Sequence, residues 1–552
     1  MPDKTPLRLA RLILVMALVG LLSGTARAAA PTISGFSPTR GPAGAKVVII
    51  GTGLGGTTEV DFGSKSARFT IDSATQISAT VPSGATTGRI RVVTPAGSAV
   101  SLGAFTVQPN IILILTDDQR YDEVARMPIL QSQLAGKGVT FNRGFVVNPL
   151  CCPSRTTILT GKYSHGTGIY KNKPPDGGFE TFTGRHEDRS TIATWLDAAG
   201  YQTSLVGKYL NGYGPTNAAY IPPGWDTWDA MTLSSTNPVF FSEGYYDYPM
   251  SINGTLVNYG TAPSDYSTDV LSNYATSFIR SVPRSKPLFL YFAPRAPHGP
   301  ATPAPKYIGA CKSIRPNRPP SYNEANVSDK PPWVSGIPSW DSATIQTWDR
   351  FYEKQCESLL SVDDAVGKIT TALANAGRLS DTLIVFASDN GVLIGEHRWS
   401  RKSVPYEESI RVPFIVRYDP LTTRTASVDH HLVLNLDLAQ TFADVAGVGH
   451  PGVEGRSFLP LLKGSATVWR KDFLIEHAVS APPSYCAVRN ERFLYAKYEG
   501  GFQELYDLQN DPYELANLMV TKPSDPGVRA TRDHLYGRML TLCQPPPPSF
   551  TP

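Results

Sequence analysis

The stretch NIILILTDDQR, residues 110–120, is an unbroken apolar and β-branched run that ends in two aspartates. A strand that is apolar on both faces sits in a parallel sheet covered by helices. The same texture returns in YQTSLVGKYL at 201–210, PLFLYFAPRAPH at 287–298 and TLIVFASDNG at 382–391. Between these runs lie helical patterns near 126–136 and over roughly 348–376. In the second, Leu359, Val362, Val366, Ile369 and Leu373 recur at helical spacing. The alternation predicts an α/β domain around a central, mostly parallel sheet. Near residue 470 the pattern changes to DFLIEH, YCAVRN, RFLYAKY and ELYDL, which predicts a smaller C-terminal antiparallel subdomain. The ending QPPPPSFTP is expected to lack regular structure.

In open α/β sheets, ligands bind beyond the carboxyl ends of the strands. The residues following the four runs are Asp117 and Asp118, Lys208, His298, and Asp389 with Asn390. Three carboxylates and an amide oxygen brought together would repel unless a cation neutralised them. All-oxygen ligation suits Ca²⁺ or Mg²⁺ rather than zinc. Asp363 and Asp364 lie inside the long helical pattern, where a solvated or capping role is expected.

PLCCPSRTTILTGKY, residues 149–163, carries the densest signal. Pro153 suits a first helical turn, and an anion is favoured beside the free N–H groups there. Arg155 adds a permanently charged fork able to hold a tetrahedral oxyanion. Adjacent Cys151 and Cys152 are not the C-x-x-C of a redox enzyme, and no cluster of His or Cys stands near them for a metal.

Composition removes several classes. The net charge is +4, but Lys4, Arg8, Arg11 and Arg27 against Asp3 account for most of it, leaving about +1 for the rest. That is no footprint for nucleic acid. Residues 1–28 read as a signal peptide, with basic residues, the run LILVMALVGLL and Ala26-Arg27-Ala28 at the cleavage point. A secreted or periplasmic bacterial protein is expected, with no membrane span in the mature chain. Export permits disulfides among Cys311, Cys356, Cys486 and Cys543. Three pairings exist; we favour Cys311 with Cys356 and Cys486 with Cys543, with free thiols as the alternative. Residues 31–107 show short β-runs between Gly, Pro, Ser and Thr turns, which predicts a small β-sandwich. PTISGFSPTRGPAGAKVVIIGTGL at 31–54 resembles the IPT/TIG family of immunoglobulin-like domains, in a binding or a passive spacer role.

Cys-x-Pro-Ser-Arg followed by Thr-Gly resembles the signature of type I sulfatases. NIILILTDDQR, the GKY at 207–209, the PH at 297–298, SDNG at 388–391 and LYDLQNDPYELANL at 505–518 follow the family's order. CCPSR with GKYSH and GKYLNGYG is similar to the N-acetylglucosamine-6-sulfatase branch. The resemblance, which extends over about residues 109–540, implies an alkaline-phosphatase-like fold with a catalytic domain at 109–465 and a C-terminal subdomain at 466–543; composition sets off the Pro-rich tail at 544–552.

It also implies that Cys151, not Cys152, is oxidised to formylglycine by a formylglycine-generating enzyme. The hydrated aldehyde would attack sulfur through one hydroxyl and release sulfate through the other. Asp117, Asp118, Asp389, Asn390 and modified Cys151 would bind Ca²⁺, with Mg²⁺ as the alternative. Arg155 would brace the formylglycine. Lys208 and Lys402 (in RKSVPYEESIRVP, 401–413) would hold sulfate oxygens, and His298 would contact sulfate or protonate the leaving oxygen.

One departure stands out: Leu210 occupies the place where many arylsulfatases carry a histidine, and Asn211 follows it. His165 is a candidate substitute, with a structural role at a helix end favoured for it. The substrate would be a sulfated sugar or an aryl sulfate. The alternatives are a phosphodiesterase or phosphonate monoester hydrolase of the same superfamily, and a carbohydrate-binding protein with unmodified Cys151.

Overall fold

The computed structural model describes residues 29–232, 244–421, 425–465, 468–478 and 482–552. The expected signal peptide lies outside the described residues. Among those described, no helix is long and apolar enough to cross a membrane.

Five strands form the centre: β1 (Asn110–Thr116), β2 (Gln202–Lys208), β3 (Thr227–Met231), β4 (Leu288–Ala293) and β5 (Thr382–Ser388). They run parallel in the order β3-β2-β4-β1-β5. Every residue of β1, β4 and β5 is buried, which is why these strands read as continuous apolar runs rather than alternating ones. The whole sheet has ten strands and is mixed, because antiparallel pairs are added at both flanks. The hairpin Tyr248–Ile252 and Thr255–Tyr259 extends the side of β3. Phe414–Arg417, Val139–Phe141 and Ser427–Asp429 extend the side of β5.

Helices cover both faces. Cys151–Thr160 (α1) packs with Ile192–Ala198 and Asp437–Ala446 on one apolar core. Ser267–Ser281 (α2) and Ser342–Asn375 (α3) cover the other. Helix α3 starts earlier than its apolar stripe predicts. Its first turns, SATIQT, are polar, and the Asp341 carboxylate caps them by accepting from Thr344 N at 2.7 Å. Asp363 has a capping role: its carboxylate accepts from Ile129 N at 2.8 Å and Leu130 N at 2.7 Å, holding the helix Pro128–Gln133.

The C-terminal sheet is an antiparallel meander of Asp472–His477, Tyr485–Asn490, Phe493–Tyr498 and Gln503–Asp507, packed by the helix Pro526–Leu542. The favoured disulfides are both present, Cys311–Cys356 and Cys486–Cys543. The Pro-rich tail carries no helix or strand, yet Phe550 is buried with Leu535, Met539 and Cys543. One aromatic side chain anchors a segment whose composition suggested none.

Two small sheets make the N-terminal sandwich. One contains Thr32–Ser37, Lys46–Thr52, Gln76–Thr80 and Arg68–Ser73, and the other is centred on Gly88–Thr94 and Gly97–Val107. Val47, Ile49, Val60, Phe62, Ile77, Ile90 and Phe105 fill the space between them.

Candidate active site

Asp117 and Asp118 leave the carboxyl end of β1, and Asp389 and Asn390 leave that of its neighbour β5. Adjacent parallel strands in register therefore bring the two pairs together. Asp118 adopts φ 65°, and its N–H donates to Asp389 Oδ1 at 3.1 Å. Lys208 is the last residue of β2, and its Nζ bonds Asp117 Oδ2 at 2.6 Å. His298 follows β4, with Nε2 3.6 Å from Asp118 Oδ2.

Helix α1 begins at Cys151 and aims that residue at the acidic group. Cys151 Sγ lies 3.6 Å from Asp117 Oδ1 and 3.9 Å from Asp118 Oδ1. Cys152, one residue on, belongs instead to the apolar core, near Tyr209. The two cysteines thus occupy chemically opposite environments. Burial pushes the Cys151 thiol up to about 11, against the pull of Lys208 and Lys402, and the Cys152 thiol up to about 12. As it stands, neither is a thiolate nucleophile at neutral pH.

Arg155 is fully buried beneath this group. Its Nε donates to Asp389 Oδ2 and its Nη1 to Lys208 O, both at 2.8 Å, and Nη2 stands 4.0 Å from Asp117. Lys402 arrives from a different quarter, just after the short hairpin Leu393–Ile394 and Ser400–Arg401. Its ammonium donates to Asp118 Oδ1, to Cys151 Sγ at 2.8 Å and to Asn390 Oδ1 at 3.4 Å. Asn390 Nδ2 also donates to Asp118 Oδ1, at 2.6 Å. A lysine cation therefore stands where the oxygen acceptors converge.

The charges are tightly balanced. Burial opposes ionisation of Asp117, but Lys208, His298, Arg295 and Arg155 outweigh it and hold this carboxyl well below its usual range. Burial and Asp117 oppose ionisation of Asp118 too, but Lys402, with His298, lowers this carboxyl from its usual range. Asp389 is raised, by burial and then by Asp117, with Arg155 opposing. Burial would strip Lys402 of its proton, but Asp118 and its neighbours keep the ammonium charged. His298 is pulled down to about 3 by burial and then by Arg295. In the tautomer that donates Nδ1–H to Gly299 O at 2.8 Å, its Nε2 is an acceptor with no proton to give. Proton donation from this ring requires an incoming anion to lift it.

The predicted residues thus gather in one place, with two refinements. Asp117, Asp118, Cys151 and His298 offer ligand atoms within 4.8 Å of one another. Asp389 stands slightly apart, its oxygens engaged by Asp118 N and Arg155. Sequence reasoning passed over Arg295, whose Nη1 lies 3.4 Å from Asp117 Oδ2. The signal was available, since Arg295 follows the end of β4 by two residues. Leu210 is part of the apolar core. His165 bonds Glu476 at 3.0 Å and lies 3.5 Å from Glu454, a structural tie at the helix Ser164–Thr167.

Comparison with known proteins identifies the family. Residues 109–448, more than half of the chain, match the Sulfatase family; residues 395–541 match the N-sulphoglucosamine sulphohydrolase C-terminal region, and residues 31–107 the IPT/TIG domain. The chain belongs to the sulfatase family and is a sulfuric ester hydrolase. It is 33% identical to the N-acetylglucosamine-6-sulfatase of Capra hircus over 80% of this chain and 84% of that protein. It is 35% identical to the extracellular sulfatase SULF-1 homolog of Drosophila melanogaster, but covers only 33% of that longer protein. Among solved structures, one in complex with its substrate D-glucosamine-2-N,6-O-disulfate superposes with TM-score 0.65 at 24% identity, covering 80% of this chain and 99% of that one. The phosphonate monoester hydrolase of Agrobacterium radiobacter gives TM-score 0.61 at 21% identity, covering 79% of this chain and 95% of that one. The fold is shared across both chemistries.

Proposed function

We propose that the protein cleaves sulfate esters of sugars at Cys151 after its conversion to formylglycine, with a divalent cation held beside it. The observation that carries this reading is the meeting of Asp117, Asp118, Asp389, Asn390, Lys208 and Lys402 around the Sγ of Cys151, while Cys152 is turned into the core.

The residues fit a hard cation. Carboxylate and amide oxygens are the donors Ca²⁺ or Mg²⁺ takes, and the Lys402 ammonium stands among them as a positive charge already accommodated. Asp117, Asp118, Asp389 and Asn390 would hold the ion, with a flip of the Asn390 amide presenting its oxygen. When bound, it would polarise the nucleophile and orient the sulfate.

The chain's own groups do the rest. Oxidised to an aldehyde, residue 151 hydrates to a gem-diol. One hydroxyl attacks sulfur and expels the alcohol; the other loses its proton, so that the C–O bond breaks, sulfate leaves and the aldehyde returns. A serine ester would lack that exit. Arg155, fixed by Asp389 and Lys208 O, braces the residue from below. Lys208, Lys402, Arg295 and Arg155 set four positive charges against three carboxylates, and the net positive charge suits what develops on sulfate oxygens. The alcohol is proposed to be a glucosamine-type sugar, by analogy with the N-acetylglucosamine-6-sulfatase relatives.

Mass spectrometry of the tryptic peptide Gly144–Arg155 tests the nucleophile directly. The expected result is an aldehyde at Cys151 when the protein is made beside a formylglycine-generating enzyme. Unmodified Cys151 in fully active protein would refute it. Parallel rates on aryl sulfate and aryl phosphate diester separate the chemistries, and the sulfate reading fails if the phosphate diester is the faster substrate by a wide margin.

A further inference from the structure

A second group of ligand-type side chains lies outside the site just described. His397 sits in the loop between Leu393–Ile394 and Ser400–Arg401, Glu408 in the short helix Glu407–Ile410, and Glu514 in the segment that follows the last C-terminal strand. A ring nitrogen of His397 and one carboxylate oxygen from each glutamate lie within 4.8 Å of one another. His397 and Glu514 are 0% and 1% exposed.

Each of the three residues also carries a buried atom without a hydrogen-bond partner: Nε2 of His397, Oε2 of Glu408 and Oε1 of Glu514. Buried polar atoms left unpaired are costly, and three in one place call for an explanation. The usual remedies are committed elsewhere. Lys330 is spent on Asp329 and Leu515 O, and Arg489 on Glu407. Arg120 hydrogen-bonds Asp122, Glu396 and Val392 O, and reaches Glu408 through its charge without bonding it. Glu504 is satisfied by the hydroxyls of Tyr406, Tyr498 and Tyr506. The charge facing the three residues is mainly negative, from Glu396, Glu407 and Glu504, and is offset in part by Arg120. Burial and then Glu396 push Glu408 up to about 7; burial and then Glu408 raise Glu514 well above its usual range.

The surroundings are those of a metal site. His397 Nδ1 lies 2.7 Å from Glu324 Oε2, so it can donate there and leave Nε2 as the free ligand. A carboxylate behind an imidazole is the arrangement that orients and strengthens a metal-bound histidine. Glu514 is fixed through its other oxygen, which accepts from Glu407 N at 3.1 Å. One imidazole nitrogen with two carboxylate oxygens is a Zn²⁺-type donor set, unlike the oxygen-rich catalytic group. Bonds of about 2.0–2.2 Å would draw the three ligand atoms closer together around the ion.

We propose that His397, Glu408 and Glu514 form a second, buried cation site for Zn²⁺ or a similar borderline metal. His397 and Glu408 flank Lys402 in sequence, and Glu514 belongs to the C-terminal subdomain. The ion clips the Lys402-bearing segment to that subdomain, whatever ester the enzyme cleaves.

The test is metal analysis of the full chain, equilibrated with ZnCl₂, desalted and measured by mass spectrometry of the metal. The expected result is one tightly held zinc that is lost in His397→Gln and in Glu514→Gln but kept in Asp117→Asn, which disables the catalytic group. Zinc lost in Asp117→Asn but kept in the other two variants overturns the proposal, as does a wild type that retains none. If those variants fold poorly, Co²⁺ loaded into the wild type gives an independent readout. Visible d–d bands of a nitrogen–oxygen site, erased by added Zn²⁺ but not by excess Ca²⁺, support the site, and their absence refutes it. Zinc should also raise the Tm of chelator-stripped wild type by several degrees. An unchanged Tm means that Glu408 and Glu514 simply share a proton, and the site is wrong.

Discussion

Replacing Lys402 with methionine keeps most of the side-chain volume and removes one charge. In the structure its Nζ is 2.8 Å from Cys151 Sγ, so a sulfate sulfur carried on residue 151 would lie roughly 5 Å away. At an effective dielectric near 20, a unit charge at about 5 Å is worth about 3 kcal/mol. Loss of one preorganised charge of this kind typically costs about 10²–10³ in kcat. Lys402→Met should therefore lower kcat on para-nitrophenyl sulfate by about 200-fold, with a smaller change in KM if the charge acts mainly on the transition state. Circular dichroism and the content of the proposed divalent cation should stay at wild-type values. A correctly folded variant with an unchanged cation content that loses less than about tenfold in kcat would refute the role assigned to this lysine.

Three further outcomes are expected. Cys151→Ala abolishes turnover, whereas Cys152→Ala keeps most of it and loses only modest stability from a small core cavity; equal loss of activity in both removes the assignment. Asp363→Ala, by freeing Ile129 N and Leu130 N, costs about 2 kcal/mol in urea unfolding, and a change within about 0.5 kcal/mol argues that solvent replaces the cap. His165 is raised from 6.5 to about 10, because the bonds to Glu454 and Glu476 outweigh the opposing effect of burial. A group raised in the folded state stabilises fully below its unfolded value and loses this as pH climbs to the folded value. The stability gap between wild type and His165→Gln should thus be widest below about pH 6.5 and shrink steadily toward pH 10; a gap that widens with pH contradicts the assignment.

Much of the site was readable because it hangs on buried parallel strands. Such strands announce themselves as apolar runs, and whatever follows each run must land on one rim; this located Asp117, Asp118, Lys208, His298, Asp389 and Asn390. Lys402 has no such logic. It follows a short hairpin, and only the resemblance of RKSVPYEESIRVP singled it out. Arg295 was overlooked because attention stopped at the histidine three residues later. The early start of α3 was invisible because its first turns bury no stripe. His397, Glu408 and Glu514 come from three irregular or short segments, so no periodicity could have joined them. Phe550 shows the converse: a proline-rich composition says nothing about one aromatic side chain finding a pocket.

The attachment of the N-terminal sandwich has a spatial consequence. Ser83 Oγ and Gly84 N bond the Asp381 carboxylate at 2.9 and 2.7 Å, and Gln108 reaches Ala199 O at 2.9 Å. Asp381 lies just before β5, Gln108 before β1 and Ala199 before β2, so the sandwich is seated on the amino ends of the strands whose carboxyl ends carry the catalytic group. Binding module or passive spacer, the sandwich leaves the carboxyl-end rim of the sheet uncovered, so a substrate approaches from the side opposite to it.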